Sequence, residues 1–177
     1  RSFLFASVPE GEVPTDYVIT SVLYERAAKE NINYVIPGNS FRTEGTTPLS
    51  WTYQDPKYIK SIHKKFGKKK IKSFPIMSTI KFFYFSFIHK IRWVRLLYYI
   101  PYNEKEAVKY LTENYNWENY GGKHFESTYT KFFQSYILTR KFNIDKRKLH
   151  YSALIRSNQI GRDIALRKIQ NDPYEGG

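Results

Sequence analysis

Apolar positions come in short runs at the start of the chain and at helical spacing further along it. Residues 2 to 7, Ser-Phe-Leu-Phe-Ala-Ser, form a brief apolar run of the kind that makes a buried strand. After the turn from Val8 to Pro14, Thr15 is placed to cap a helix, with Asp16 in the first turn beside the positive helix end. From Tyr17 to about Asn31, Val18, Val22, Leu23, Ala27 and Ala28 recur at helical spacing. Asn33 to Ile36 reads as a second strand, and Pro37-Gly38-Asn39-Ser40 as a loop at its carboxyl end. Strand, helix, strand and loop in this order predict a βαβ unit, which usually belongs to a parallel sheet. Ligands of open α/β sheets gather at the carboxyl ends of strands, so Ser7 and the Gly38–Asn39 loop are expected at the mouth of a site. A plain connecting turn is the alternative reading of Pro-Gly-Asn.

Residues 48 to 53 have loop composition, with Trp51 and Tyr53 available as anchors. Pro56 suits the first turn of a helix over residues 57 to 66 that ends at Gly67. Lys68-Lys69-Lys70 then leads through Pro75 into residues 76 to 88. There Ile76, Ile80, Phe83 and Phe87 share one helical face, and Phe82, Phe85 and Ile88 another. A helix apolar on most sides is buried or makes an interface. Arg92, Trp93 and Arg95 continue the basic, aromatic character up to Tyr102. Beyond it, Asn103 caps a helix from Glu104 to Tyr115, with acids in its first turn. Tyr120 to His124 is a loop, and Ser127 or Thr128 begins a helix through Leu138. Asp145 caps a helix from Lys146 to Arg156 with Leu149, Ala153 and Leu154 as its apolar stripe. Asn158 suits the left-handed position that ends it, and a last helix runs from Gly161 to Gln170. The fold class is α/β at the start and mainly helical afterwards, with divisions at 1–55, 56–103 and 104–177.

With 177 residues, 41% apolar and 18% aromatic, the chain can bury the core of one ordinary domain and is no disordered tail. The absence of Cys excludes a disulfide scaffold, a thiolate metal cluster and a cysteine nucleophile, and it fits a reducing compartment. The apolar stretch Phe82 to Ile88 is far short of the ~20 residues of a membrane span, and the first residues are too brief for a signal peptide. Because the chain opens on Arg1 inside an apolar run, a fragment is expected. Net charge is +13, and its location matters more than its size. Residues 56 to 103 hold twelve Lys or Arg and no acid, whereas the other 129 residues carry 17 basic groups against 16 acidic ones. A localised field of this sign attracts phosphate, anionic lipid or an acidic partner.

Candidate chemistry is sparse. His63, His89, His124 and His150 show no metal-ligand spacing, and there is no nucleophile elbow, Walker loop or dinucleotide fingerprint. The most suggestive cluster is Gly121-Gly122-Lys123-His124-Phe125-Glu126-Ser127. Its glycines let backbone approach a ligand, its Lys offers a phosphate contact, and its His or Glu could carry a proton. A helix-capping loop with solvated charges explains the same residues. Arg147 and His150 share a helix face, yet a charge run is more often a wet surface. The basic, aromatic segment 56–103 is a helical insertion with solvated lysines, a docking element for a partner or an anionic membrane, or, least favoured, a stacking platform for single-stranded bases.

Taken in order, four blocks resemble the N-acetyl sugar amidotransferases, PP-loop ATP pyrophosphatases of lipopolysaccharide O-antigen and related surface-sugar synthesis. They are residues 34–44 (Tyr-Val-Ile-Pro-Gly-Asn-Ser-Phe-Arg-Thr-Glu), 62–67 (Ile-His-Lys-Lys-Phe-Gly), 117–127 (Trp-Glu-Asn-Tyr-Gly-Gly-Lys-His-Phe-Glu-Ser) and 141–150 (Lys-Phe-Asn-Ile-Asp-Lys-Arg-Lys-Leu-His). The likeness runs over approximately residues 3 to 174 and is to the carboxyl-terminal portion of the family; the Tyr-Gly-Gly-Lys-His and Asp-Lys-Arg blocks are its most specific parts. The family's Ser-Gly-Gly-x-Asp-Ser phosphate loop and amino-terminal cysteines have no counterpart here. Asn158 stands where the family commonly has Gly, and Gly161 where a hydroxyl residue usually caps the last helix.

The resemblance implies that residues 1–55 are the last part of an open parallel-sheet domain of the adenine nucleotide alpha hydrolase type. It implies an enzyme that turns the acetamido group of a nucleotide-linked or related N-acetyl sugar into an acetamidino group. Mg-bound ATP would adenylylate the amide oxygen, releasing pyrophosphate, and ammonia from glutaminase and ammonia-channel subunits would displace AMP. An amide oxygen is a poor leaving group and AMP a good one, and exclusion of water protects the intermediate. The resemblance further implies that Gly38, Asn39, Thr43 and Glu44 lie on the nucleotide side. It makes Lys123, His124 and Glu126 catalytic groups facing phosphate or sugar, and has Arg147 and His150 support an anionic group of the substrate. No metal ligand is expected in this chain, which alone is expected to be inactive. The enzyme would be cytoplasmic, at the inner face of the membrane if residues 56–103 dock there. The competing readings are a non-catalytic module that binds RNA or anionic lipid, and a fragment of a PP-loop tRNA thiolase, which the lack of cysteine disfavours.

Overall fold

The apolar run that opens the chain is a helix, not a strand. In the computed structural model, which describes residues 1–48, 51 and 54–174, Ser2–Ala6 forms α1 and Ser7 closes it in the left-handed conformation at φ 52°. Periodicity cannot separate a short apolar strand from a short buried helix. Packing decides here, because Phe3 is buried with Val13 and Ile59 while Leu4 and Phe5 stay exposed. Ser7 is therefore a helix cap rather than the end of a strand. The next helix, α2 (Val13–Lys29), begins earlier than expected. Glu12 is its N-cap and Pro14 sits in the first turn, where a missing N–H costs nothing, so Thr15 lies inside the helix. Its buried face is Val13, Ser21, Tyr24 and Ala27, while Val22 and Leu23 are exposed. The Tyr24 ring takes the space between Phe85 and Trp93, at centroid distances of 5.9 and 5.8 Å.

The strand β1 (Tyr34–Val35) is parallel to its partner, but the partner is β2 (Arg92–Trp93), not residues 2 to 7. The Arg92 N–H donates to the Asn33 carbonyl at 2.8 Å and the Val94 N–H to the Val35 carbonyl at 2.9 Å. A parallel pair needs a long crossover, and here several helices supply it. Among the described residues the sheet consists of these two strands, and the rest of the regular structure is helical.

Contacts divide the chain into two units, residues 1–37 with 47–95, and residues 38–46 with 96–177. The first unit has two small cores: Tyr24, Ala27, Phe85 and Ile91, and Phe3, Val13 and Ile59. Its α4 (Pro56–Phe66) starts and stops where the sequence indicates, capped by Asp55 and ended by Gly67, whose N–H donates to the His63 carbonyl at 2.7 Å. The Trp51 N–H donates to the Pro48 carbonyl at 2.9 Å; the anchor role read for Tyr53 lies outside the described residues. The expected apolar helix is α5 (Thr79–Phe83), which runs into a π-helical turn (Tyr84–Ile88). Phe85 alone in this stretch is buried. No helix among the described residues is long and apolar enough to cross a membrane.

The second unit contains α3 (Phe41–Glu44), a 3-10 turn (Leu96–Tyr98) and α6 (Glu104–Tyr115), with Asn103 capping α6 as read from the sequence. A continuous helix follows as α7 (Thr128–Phe132), a π-helical turn (Phe133–Ile137) and α8 (Leu138–Phe142). It passes the stop expected at Leu138, which is fully buried, and ends at Asn143, φ 54°, where a left-handed cap is inexpensive. Asp145 accepts the Arg147 N–H at 2.9 Å to start α9 (Arg147–Arg156), and Asn158 takes the left-handed position beyond it. α10 (Arg162–Gln170) packs on α9.

Candidate functional site

The site of the second unit is built around one carbonyl oxygen. Ser40, buried, caps α3 by accepting the Arg42 N–H at 3.2 Å, and the Thr43 hydroxyl returns to the Ser40 carbonyl at 3.3 Å. Gly45 follows at φ 71°, where a Cβ would stand 2.6 Å from the Leu149 carbonyl oxygen. Only glycine lets the chain leave α3 in this conformation and against the α9 backbone. That approach leaves the Thr43 carbonyl open to two donors from distant parts of the sequence. Lys123 Nζ reaches it at 3.0 Å and His150 Nδ1 at 2.8 Å.

Both donors have acidic partners. Lys123 Nζ lies 3.0 Å from Glu44 Oε2, and His150 Nε2 lies 3.5 Å from Glu104 Oε2. Donation to a carbonyl puts a proton on His150 Nδ1, and Nε2 faces Glu104. His124 adopts φ 64°, with Nδ1 4.0 Å from Glu126 Oε1. Although the His124 side chain is 47% exposed, partial desolvation lowers its imidazole from the ordinary range and Lys123 adds to this; Glu44 and Glu126 act in the other direction and are outweighed. His124 is therefore neutral at pH 7. Gly122 seats the Phe125 ring of this loop, which would meet a Cβ there at 2.6 Å.

A polar network extends the cluster. Gln159 Oε1 accepts the Glu104 N–H at 2.8 Å, and Gln159 Nε2 donates to the Tyr102 carbonyl at 3.2 Å and to Ser157 Oγ at 3.1 Å. Ser157 Oγ lies 3.2 Å from the Arg42 carbonyl, and Arg42 Nη1 donates to the Leu97 carbonyl at 2.8 Å. Burial raises the Tyr102 phenol, with Glu104 and Glu44 adding to the effect. Beside the network lies a cleft of about 490 Å³ lined by Phe41, Arg42, Gly45, Arg156, Ser157 and Asn158.

Of the residues singled out from the sequence, Thr43, Glu44, Lys123, His124, Glu126 and His150 fall in this neighbourhood. Gly38 and Asn39 belong to the loop leading into Ser40, and Gly38 opens onto empty space. Arg147 turns elsewhere. Its Nε and Nη2 bond to Asp145 at 3.1 and 2.9 Å, and Nη1 and Nη2 donate to the carbonyls of Lys168 and Ile169 at the end of α10. The hydrogen bonds to Asp145 raise its pKa further. Sequence reading passed over Glu104, seen only as a first-turn acid, Arg42, seen only within the 34–44 block, and Ser157 and Gln159 altogether. No spacing links them to Thr43, because only the fold brings them near.

A triphosphate asks for clustered backbone N–H groups and unneutralised cations. Here Lys123 is paired with Glu44, Arg147 with Asp145, and the element that starts at Ser40 is a single turn. The residues around Thr43 do not form such a cradle. Among the described residues, no group of three or more His, Asp or Glu is placed to hold a metal ion.

In the second unit Lys123 and His150 thus meet on the Thr43 carbonyl, with Glu44 and Glu104 as their acidic partners, and His124 faces Glu126. Residues 126–177 match the family model described as LPS biosynthesis protein WbpG-like, C-terminal domain. Over those residues the match supports a lipopolysaccharide-biosynthesis family. No curated protein and no solved structure matches it.

Proposed function

We propose that this chain is the carboxyl-terminal part of an ATP-dependent N-acetyl sugar amidotransferase of lipopolysaccharide or related surface-sugar synthesis, within an open parallel-sheet nucleotide domain whose phosphate loop lies upstream. The observation that carries the proposal is the meeting of Lys123 and His150 on the Thr43 carbonyl. It joins three of the blocks that resemble the family, residues 34–44, 117–127 and 141–150, and the family match at 126–177 supports the same pathway. Since the residues around Thr43 do not fit a triphosphate, they are assigned no step on the nucleotide. Their role is on the sugar side. Lys123 supplies positive charge, and His124, neutral at pH 7, is able to accept the proton that ammonia must lose once its nitrogen has bonded to carbon.

The test begins with the reading frame upstream of Arg1, where an in-frame Ser-Gly-Gly-x-Asp-Ser loop is expected. The complete protein, given ATP, ammonium and a nucleotide-linked N-acetyl sugar, should release pyrophosphate and exchange the amide oxygen for NH, read by mass spectrometry. Lys123→Ala should lower turnover by roughly a hundredfold. An upstream frame without the loop, or unchanged turnover in folded Lys123→Ala, overturns the corresponding part of the proposal.

A further inference from the structure

The first unit carries an exposed apolar element that its own cores leave uncovered. In α5 and its π-helical turn, Ile80 is 82% exposed, Phe83 51%, and Phe87 and Ile88 68% each. Phe83 and Phe87 stack on one another with ring centroids 5.7 Å apart, so they present a joint apolar surface. The element is held firmly from behind. Phe85 is buried with Tyr24, Ala27 and Ile91, and the Ile91 N–H donates to the Phe85 carbonyl at 3.1 Å. Ser78 Oγ caps the amino end by accepting the Lys81 N–H at 3.2 Å.

The charges that flank this element along the chain have one sign. Lys68, Lys69, Lys70 and Lys72 precede it in the chain, Lys90 and Arg92 follow it, and all six are exposed. The unit as a whole carries fifteen basic side chains against six acidic ones, a net of +9. Lys81 alone lies within the apolar run, and it is paired with Glu25 at 3.1 Å. An apolar stretch without a free cation, bracketed by exposed lysines and arginine, has the layout of an element that inserts at the acyl boundary while its flanks meet head groups.

We propose that α5 and its π-helical turn dock this protein on the surface of an anionic phospholipid bilayer, with Ile80, Phe83, Phe87 and Ile88 entering the interface and the flanking cations held at the phosphates. Charge complementarity selects this occupant. A second copy of the unit would bring two charges of +9 together. A single-stranded nucleic acid would stack on aromatic rings, and Phe82, Phe83, Tyr84 and Phe87 are exposed, yet Phe83 and Phe87 already stack on each other and the most exposed residue, Ile80, gives a base nothing to stack on. Binding of this kind is peripheral and depends on both the apolar residues and the charge. It stands apart from the amidotransferase proposal and survives or fails without it.

The experiment is co-flotation of the 177-residue chain with phosphatidylcholine vesicles, pure or with about a third phosphatidylglycerol. Retention is expected on the anionic vesicles and not on the neutral ones, and it should weaken as salt is raised. The F87S/I88S double variant, altered only at exposed positions, should keep the parent circular-dichroism spectrum and lose roughly a hundredfold in vesicle affinity. The K68E/K69E/K70E variant should also lose affinity, which keeps the test valid if the first variant misfolds. Equal binding to neutral vesicles, unchanged binding by folded F87S/I88S, or failure to bind either vesicle overturns the proposal. So does retention on single-stranded RNA without vesicle binding, which assigns the segment to nucleic acid instead.

Discussion

Gly45 stands at φ 71° with the Leu149 carbonyl oxygen 2.6 Å from where a Cβ would be. Gly45→Ala is expected to destabilise the protein by about 3 kcal/mol, from the left-handed strain and the clash together, read as a lower urea midpoint with an unchanged slope. His124 yields a prediction in pH. Its folded pKa lies below the ordinary imidazole value, so the unfolded chain binds its proton more readily. Stability owed to this residue is complete above about pH 6.5, the unfolded value, and declines as pH falls from there through the folded pKa. NMR titration of the His124 ring should give a midpoint under that value, and His124→Gln should flatten the stability profile in that window. Lys123, His124 and His150 were legible as candidates because the Tyr-Gly-Gly-Lys-His and Asp-Lys-Arg blocks are the most specific parts of the family resemblance. Their convergence on Thr43 was not legible, since a carbonyl oxygen leaves no mark in a sequence. Arg147 looked equivalent to them and proved to close the end of α10 through Asp145 and two carbonyls.

Helix starts in this chain are written in single residues. Asp55, Ser78, Asn103 and Ser127 each accept backbone N–H groups of the first turn. Asn116, Asn143 and Asn158 take the left-handed conformation beyond helix ends. Asp55 receives both the Lys57 and Tyr58 N–H groups, so Asp55→Ala should cost about 1 kcal/mol in a denaturant melt without altering the fold. Such signals involve only neighbours in the chain, which explains why α4, α6 and the end of α9 were found close to their true limits. The elements misread were those decided by packing. α1 is five residues of apolar sequence that a sheet would equally have accepted. The π-helical turns at 84–88 and 133–137 seat Phe85 and Phe133 in cores that local periodicity does not describe.

Over the whole molecule, charge was the most legible property. The excess located in residues 56–103 lies almost wholly in the first unit, with twelve basic side chains among residues 56–95. The same reading that left residues 76–88 open as a buried helix or an interface could not choose, because burial depends on what lies across from each side chain. The structure leaves Ile80, Phe83, Phe87 and Ile88 in solvent, and the vesicle proposal rests on that outcome. The sheet shows the same division: strand propensity marked residues 33–36, but only the fold chose Arg92–Trp93 as the partner.

What the sequence determined by itself is therefore what near neighbours decide: the caps, the helix limits they set, the +13 charge and its concentration in one segment, and the blocks that resemble a surface-sugar enzyme family. Tertiary structure alone decided the helical state of residues 2–6, the parallel pairing of β1 with β2, and the gathering of Glu44, Glu104, Lys123 and His150 about one oxygen. The reason is physical. Capping bonds and helical periodicity act over a turn or less, whereas burial, strand pairing and convergent hydrogen bonds depend on which distant segments the folded chain brings into contact.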